Sequence, residues 1–341
     1  MLERIRSQPW MAATIVLAVA LVVSLAMLFT RSPSGESGDD ATATSTTTSP
    51  SGASTTDPSE ESPVGGELLS VVVDNAAPAQ PQVGIAEAAV LVEYPVEGGI
   101  TRFNALLHSG ATGLIGPVRS LRPVNTPLLS ALTTAVVSSG GQPFVLQELT
   151  AAGITSITPD AATPTFVSLG RPSPHDTFLD LDLLAEMFTV ATPAPGLPSD
   201  GVLPGARGPG TEIDLPFAGV SYAYEEGQGY LRLQDGAPFQ VLDPTGSDLV
   251  DVRHDVLVVL SAAERSAGYE DSNGVPVSTF DVIGSGDLQV LSGGEVVRGT
   301  WFRAALVDPF EFVDESGQPF ELPDGQVYLA IVPRDSAVEV R

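Results

Sequence analysis

The longest apolar stretch of the chain lies close to its N-terminus. Residues 10–30 carry no charged side chain and are rich in Ala, Val and Leu. At about 1.5 Å per residue, a helix of this length crosses a hydrocarbon core of about 30 Å. Arg4 and Arg6 precede the stretch and acidic residues follow Arg31. The positive-inside rule therefore predicts a transmembrane anchor over 10–30, with residues 1–9 in the cytoplasm and the bulk of the chain extracytoplasmic. A cleaved signal peptide is the alternative, but the run exceeds a usual signal h-region and no A-x-A site closes it.

Two breaks in the hydrophobic pattern divide the exported part. Residues 31–66 consist mainly of Ser, Thr, Gly, Pro and acidic residues without apolar periodicity, which predicts a disordered stalk. Residues 191–211 are crowded with Pro and Gly, so no strand or helix pattern survives there. This second break predicts a linker between two domains of ordinary size, 67–190 and 212–341.

The first of these domains shows a mixed pattern of strands and helices. LLSVVVDN, residues 68–75, is a β-branched run typical of a buried strand, and AAVLVEYPV and ITRFNALLH predict two strands joined by a two-residue turn at Gly98 and Gly99. TPLLSALTTAVVSS and FVLQELTAAG predict two helices, or a helix and a strand. LDLDLLAEMF predicts a helix with one apolar face, formed by Leu179, Leu183, Leu184 and Met187. The predicted fold is α+β or α/β with a mixed sheet.

The second domain has the pattern of an antiparallel β structure. Its apolar segments are short, alternating or β-branched runs separated by Gly, Asp and Pro: GVSYAYEEG, GYLRLQDG, DVLVVLSA, LQVLSGGEVVRGTWFRAAL and QVYLAIVP. EDSNG, SGGE and DESGQ supply turns. Trp301 and Phe302 lie in one alternating run, which favours a place in the core over a binding face.

Composition narrows the class of partner. The chain has no cysteine, which excludes disulfides, thiolate metal sites and a lipidated N-terminal cysteine. Its net charge is −27 and all 15 basic residues are arginine, so it lacks the basic footprint that binds nucleic acid. No spacing indicates a metal site and no nucleotide-binding or hydrolase motif is present, so the sequence predicts neither a metal nor a cofactor.

The basic residues of the first domain are few, and each lies beside a turn signal. They are Arg102 in EGGITR, Arg119 and Arg122 in IGPVRSLRP, and Arg171 in LGRPSPHDT. Arginine suits bidentate capture of carboxylate or phosphate. In so acidic a protein, these four residues are candidates for an anion-binding pocket.

An ion-pair network that needs no ligand is the alternative for these arginines. Pairing across the glycine turn places Pro95 opposite Arg102, and it places Glu93 and Glu97 diagonally beside Arg102 on the same face. Convergent guanidinium groups would favour binding. Guanidinium groups that each face a carboxylate of their own would favour a scaffold.

Two further residues are candidates for acid–base chemistry. Asp74 ends the first predicted strand, and His175 lies between Pro174 and Asp176. A histidine beside a carboxylate can transfer protons. The structural alternatives are a turn formed by Asp74 and a hydrogen bond made by His175.

The same segments resemble the YerB-type family of bacterial envelope proteins, many of them lipoproteins. The resemblance rests on VVVDNAAPAQPQVGIAEAAVLVEYPVEGGITRFNALLH, IGPVRSLRP, SSGGQP and RPSPHDTF, and on DVIGSGDLQVLSGGEVVRGTWFR and SGQPFELPDGQVYLAIVP in the second half. This chain departs from the family pattern at Gln80, Ala89, Val92 and Asp176, where the family usually has Arg, Asp, Tyr and Asn. The resemblance implies a two-domain extracytoplasmic fold and brings no activity with it.

The leading hypothesis is a non-enzymatic, membrane-anchored envelope protein whose first domain binds an anionic ligand that carries phosphate or carboxylate. One alternative is an enzyme acting on phosphorylated cell-wall precursors, with Asp74 or His175 as the base. The other is a non-catalytic interaction scaffold.

Overall fold

The computed structural model of the protein describes residues 67–159, 164–190, 194–199, 201–205, 207–271 and 273–341. The predicted cytoplasmic segment, transmembrane anchor and stalk, residues 1–9, 10–30 and 31–66, lie outside this part of the chain. Within the described residues, no helix is long and apolar enough to cross a membrane.

The N-terminal half combines short helices with strands. Its strands are β1 (Leu68–Asp74), β2 (Val90–Pro95), β3 (Thr101–His108), β4 (Leu114–Ile115), β5 (Ala135–Val137), β6 (Thr155–Ile157), β7 (Phe166–Ser168) and β8 (Thr177–Asp180). Its helices are α1 (Asn125–Leu129), α2 (Pro143–Ala151) and α3 (Leu181–Met187), with 3-10 turns at Ala77–Ala79, Ile85–Glu87 and Glu97–Gly99.

The described C-terminal half is built of strands. They are β9 (Gly208–Pro209), β10 (Glu212–Asp214), β11 (Val220–Glu225), β12 (Gly229–Gln234), β13 (Ala237–Pro238), β14 (Gln240–Leu242), β15 (Leu249–Asp251), β16 (Arg253–His254), β17 (Val256–Glu270), β18 (Pro276–Asp281), β19 (Gly284–Ser292), β20 (Glu295–Arg303), β21 (Glu311–Asp314), β22 (Pro319–Phe320), β23 (Val327–Pro333) and β24 (Glu339–Val340).

One large sheet runs through both halves, in the order β22-β21-β20-β19-β17-β23-β2-β3-β1-β5-β6. Strand β23 lies parallel to both of its neighbours, β17 and β2. A strand with a neighbour on each edge and both faces covered must be apolar throughout, and β23 is buried from Val327 to Val332. Residues 67–190 and 212–341 therefore share a sheet, and the domain boundaries drawn from the sequence remain a prediction.

The two faces of the large sheet carry separate apolar clusters. On one face, Phe103 and Tyr328 pack with Tyr222 and Tyr230 from a smaller sheet of β10, β11, β12, β13, β16 and β24. On the other face, Tyr94 packs with α1 and with Trp301 of β20. The predicted mixed sheet in the first half and the mainly antiparallel structure in the second half are confirmed in this outline.

The β2–β3 hairpin differs from its prediction in turn length and in register. The β2–β3 connection is longer than a two-residue turn, because the Val96 amide bonds to the Ile100 carbonyl, and Tyr94 rather than Pro95 faces Arg102. A one-residue change of register moves side chains to the opposite face, so Glu93 does not share a face with Arg102.

The apolar face predicted for the helix near residue 183 was also wrong. The Asp180 side chain accepts a hydrogen bond from the Leu183 amide and starts α3 at Leu181, so Leu179 belongs to β8 instead. The buried helical positions are Leu181 and Leu184, whereas Leu183 and Met187 are exposed.

Candidate functional site

The candidate residues gather where β1 and its parallel neighbour β5 end. The loop after β4 crosses this edge: the Asp74 amide bonds to the Pro117 carbonyl, and the Arg119 amide bonds to the Val72 carbonyl. The same loop joins the segment after β5, because the Ser139 amide bonds to the Arg119 carbonyl. The carboxyl ends of parallel strands are where α/β sheets usually present binding groups.

Asp74 lies at the centre of this edge and is buried. Its Oδ2 is 2.7 Å from His175 Nδ1 and 2.9 Å from Arg119 Nε, and its Oδ1 accepts a hydrogen bond from the Ala76 amide. The Arg119 contact is an ion pair by distance, but its Nε–H is not directed at the oxygen. Asp74 therefore combines the turn contact expected of a strand-ending aspartate with a histidine–carboxylate pair.

Arg102 is the cross-strand neighbour of both Asp74 and Tyr94, yet its side chain forms no ion pair or hydrogen bond with either residue. The residue is 2% exposed, and its one hydrogen bond to the described residues runs from Nη1 to the Ser120 carbonyl at 2.7 Å. Its Nε has no partner, and no carboxylate of the described residues lies within 4.0 Å. Burial and the nearby charge of Arg122 lower the pKa of Arg102 to about 10. Among the described residues, Arg102 does not form the predicted ion pair with Glu93 or Glu97, because the register of β2 and β3 differs from the predicted one.

Arg122 faces Glu97, with Nε 2.8 Å from Oε2 and Nη2 against Oε1. Burial opposes ionisation of Glu97, but the hydrogen bond and charge of Arg122 outweigh burial and lower the pKa of this carboxyl group. Tyr269, near the tip of the β17–β18 hairpin, interacts electrostatically with Arg122 and Glu97 and packs edge-on against Phe144. The long hairpin of the C-terminal half thus reaches the arginine site.

The Glu97–Arg122 pair predicts a specific response to acid. A depressed pKa in the folded state contributes stability above the ordinary value of 4.5, and this contribution is lost as pH falls through the folded value. We expect Glu97→Gln to lower the free energy of unfolding by about 1.5–3 kcal/mol at neutral pH. The difference from wild type should shrink as pH falls below 4.5 and through the lowered pKa of the folded state, because Glu97 itself then becomes protonated. Urea denaturation at several pH values measures it, and a difference that stays constant with pH would contradict the assignment.

Arg171 makes contacts of a different kind. Its Nη1 and Nη2 donate to the carbonyls of Ala79 and Pro81 at 2.7 and 2.8 Å, and its guanidinium lies 5.1 Å from the Phe178 ring centre. These contacts tie the loop of His175 to the loop that follows β1. The sequence placed Arg171 with the other three arginines as a ligand-binding residue, and that role stays a prediction.

The structure thus unites Arg102, Arg119 and Arg122 with Asp74 and His175. Arg119 and Arg122 each face a carboxylate, as a scaffold would require, whereas no carboxylate of the described part of the chain pairs with Arg102. A cavity of about 350 Å³ lies elsewhere, at the far end of β3 beside His108 and Leu181.

A buried ion pair beneath this site was not foreseen from the sequence. Glu93 and Arg232 are both fully buried, with Nη1–Oε2 and Nη2–Oε1 distances of 2.6 and 3.1 Å. Tyr328 donates its hydroxyl to Glu93 Oε2 at 2.6 Å, and Thr101 donates to Oε1 at 2.5 Å. Burial by itself would lower the pKa of Arg232, but the charge of Glu93 raises it well above its ordinary value. Glu93, assigned to Arg102 by the predicted register, therefore joins the two halves of the protein instead.

Hydrogen bonds connect this pair to the candidate site. Asn75 Nδ2 donates to Glu93 Oε1 and to Thr101 Oγ1, at 3.2 and 2.7 Å. Gln82 Nε2 in turn donates to Asn75 Oδ1 and to the Asp74 carbonyl, both at 3.0 Å. The backbone that carries Asp74 is thus held by a network that begins in the C-terminal half. The Asp-Asn pair at the end of β1 was the signal in the sequence, but its partners lie far along the chain.

Comparison with known proteins gives a consistent result in both halves. Residues 54–193 match the N-terminal domain, and residues 213–329 the C-terminal domain, of the family described as "Protein of unknown function (DUF3048)". The protein "Putative lipoprotein YerB" of Bacillus subtilis (strain 168) is 36% identical over 81 residues. That match spans 24% of this chain and 24% of the relative, so it covers only about a quarter of either protein.

The fold is also similar to a solved structure. The crystal structure of YerB protein from Bacillus subtilis superposes with a TM-score of 0.65, covering 82% of this chain and 95% of that chain at 20% identity. At this identity the likeness concerns the fold alone. With both family domains matched in order, the chain belongs to the YerB-like, two-domain DUF3048 family.

Proposed function

We propose that this protein is an extracytoplasmic component of the bacterial cell envelope that binds a phosphate- or carboxylate-bearing ligand at the site around Arg102. The location is supported by the predicted transmembrane anchor over 10–30, with arginines before it and acidic residues after it. The Bacillus subtilis relative bears the name of a lipoprotein, which is also a membrane-attached class.

The observation that carries the binding proposal is the state of Arg102. Burying a guanidinium costs several kcal/mol unless a counter-charge and hydrogen-bond acceptors replace water. The two other arginines of the site have carboxylates, whereas Arg102 has one carbonyl and a buried Nε without a partner among the described residues. A ligand anion would supply the missing charge and acceptors, and the planar fork of arginine suits phosphate and carboxylate oxygens.

Binding can be measured through stability. We expect inorganic phosphate to stabilise the purified full-length chain, by about 2.7 kcal/mol at a hundredfold excess over Kd, because a ligand of the native state shifts unfolding by mass action. Arg102→Gln should abolish this stabilisation. Arg102→Lys should weaken it, because lysine keeps the charge and loses the fork.

Arg298→Gln is the matched control. It removes the same charge from an exposed position on β20 and should leave the phosphate effect unchanged. Equal responses of Arg102→Gln and wild type would overturn the proposal. If neither phosphate nor acetate stabilises the wild type, the scaffold function takes its place.

An enzyme acting on phosphorylated envelope precursors is the second candidate, favoured by the Asp74–His175 pair. With Nδ1 held by a carboxylate, His175 presents Nε2, which bonds to none of the described residues, beside the arginines. That is the arrangement of a proton-transfer group next to an anion site. This function differs from binding in one observable respect: the ligand would leave the site chemically altered.

A further inference from the structure

One oxygen of the Asp74 carboxylate contacts both the imidazole of His175 and the guanidinium of Arg119. His175 Nδ1 and Arg119 Nε lie 2.7 and 2.9 Å from the same Oδ2. An ionised carboxylate against Nδ1 keeps the proton of a neutral imidazole on that nitrogen, so Nε2 accepts when the ring is neutral and donates when it is charged. The terminal nitrogens of Arg119 make no hydrogen bond to any described residue, and its side chain is 24% exposed. His175 Nε2 and the terminal nitrogens of Arg119 are therefore available to bind a ligand at the site.

The charges around these groups leave a surplus of positive charge. The site has three positive charges, on Arg102, Arg119 and Arg122, and two negative charges, on Asp74 and Glu97. One net positive charge remains while the imidazole is neutral. A charged imidazole would leave two.

The other ionisable groups near His175 add no net positive charge to this count. Arg171 and Asp176 belong to the loop of His175 and carry opposite charges. Tyr269, from the β17–β18 hairpin, is neutral at ordinary pH because burial raises its pKa. Asp271 near it accepts hydrogen bonds from its own loop and also interacts electrostatically with Arg122, so counting it makes the site less positive still. The segment after β1, residues 75 to 82, contributes only neutral side chains.

We propose that the anionic group bound here is a dianionic tetrahedral oxyanion, a terminal phosphate, and that its binding places a proton on His175 Nε2. This inference rests on the proposed anion-binding function. One net positive charge does not neutralise a dianion, so the complex would keep a partly buried negative charge. Protonation of Nε2 adds a positive charge and a hydrogen-bond donor. Arg102, Arg119 and His175 belong to three separate chain segments. A tetrahedral oxyanion can accept donors from more directions than a planar carboxylate can.

Isothermal titration calorimetry with sulfate tests this proposal. Sulfate stays a dianion between about pH 6 and about pH 8, so any proton taken up goes to the protein. Titrations of the full-length chain in buffers of different ionisation enthalpy should show an uptake approaching one proton per sulfate near pH 8. Affinity should rise about tenfold for each pH unit lowered while the free ring is neutral. Acetate and dimethyl phosphate, both monoanions, should bind more weakly and without proton uptake.

Variants identify the group that takes the proton. His175→Gln should abolish both the proton uptake and the pH dependence, whereas His108→Gln, at the far end of β3, should retain both. If His175→Gln does not fold, nitrogen NMR of the wild-type imidazoles replaces it: sulfate added near pH 8 should convert the His175 ring to its charged form. An unchanged ring counts against the proposal.

The outcomes separate this inference from the function on which it rests. Sulfate binding without proton uptake, or acetate binding as tightly as sulfate, would overturn the inference and leave the anion-binding function in place. Failure of sulfate, phosphate and acetate alike to bind would overturn both.

Discussion

Arg232→Met is expected to lower the free energy of unfolding by about 3–5 kcal/mol, because it leaves Glu93 as a buried carboxylate without its counter-charge. Glu93 is fully buried, and after the substitution only neutral donors from Tyr328, Thr101 and Asn75 would face it. Shifts in the urea denaturation midpoint measure the effect. Since the pair joins strands of both halves, the loss should appear in the unfolding of the whole described unit rather than of the smaller sheet alone.

Two further variants make this expectation specific. Glu93→Leu combined with Arg232→Met should recover much of the loss, because a buried ion pair replaced by apolar side chains is often neutral or stabilising. Arg253 lies in β16, next to β12, and forms a partly exposed ion pair with Glu225 of β11. Arg253→Gln should therefore cost at most about 1 kcal/mol. A double variant as unstable as Arg232→Met would show that packing around the arginine, not its charge partner, is what the protein loses.

Trp301→Ala is expected to have an effect of similar size in the other core cluster. The indole is fully buried, packs against Phe310 and donates from Nε1 to the Ser261 carbonyl at 3.1 Å. Removing a large aromatic side chain from a core costs about 3–5 kcal/mol through lost burial and the cavity left behind. The Ser261 carbonyl would also lose its indole donor. Thermal or urea denaturation measures the loss.

Phe302→Ala is the matched control, since it removes an aromatic ring from the next position of the same strand. Phe302 is 37% exposed because adjacent residues of a strand point to opposite faces. We expect a loss below about 1.5 kcal/mol. Equal losses for the two variants would contradict the orientation of β20. The prediction that both rings lie in the core is confirmed for Trp301 and wrong for Phe302.

Much of the strand content could be predicted from local pattern. The β-branched run at 68–75 forms β1 over Leu68–Asp74, and the segment with Gly293 and Gly294 at its centre forms the β19–β20 hairpin. Such predictions succeed because burial of consecutive β-branched residues and the positive φ of turn glycines act over a few residues. The single long strand β17, Val256–Glu270, was only partly visible, because beyond Ala263 most of its residues are polar or exposed.

The candidate site was predictable as a list of residues and not as a set of contacts. Turn-flanked arginines, the Asp-Asn after β1 and the Pro-His-Asp segment could all be read from the sequence. The partner of each charge could not. Asp74 and His175 meet across 101 positions of sequence, and Glu93 and Arg232 across 139. Each pairing depends on which strands become neighbours and in what register.

By itself, the sequence determined the apolar strands such as β1 and β23, the net charge of −27 and the absence of cysteine, because these follow from local burial pattern and composition. Only the tertiary structure decided that β23 lies between β17 and β2, and therefore that both halves share one sheet. It also decided the β2–β3 register, and so directed Glu93 to Arg232 and Glu97 to Arg122. Arg102 is left buried without a carboxylate partner among the residues that the structure describes. The physical reason is that a one-residue difference in register reverses the face of every side chain in a strand relative to its partner. The β2–β3 register follows from a connection longer than the two-residue turn that the glycine pair predicts.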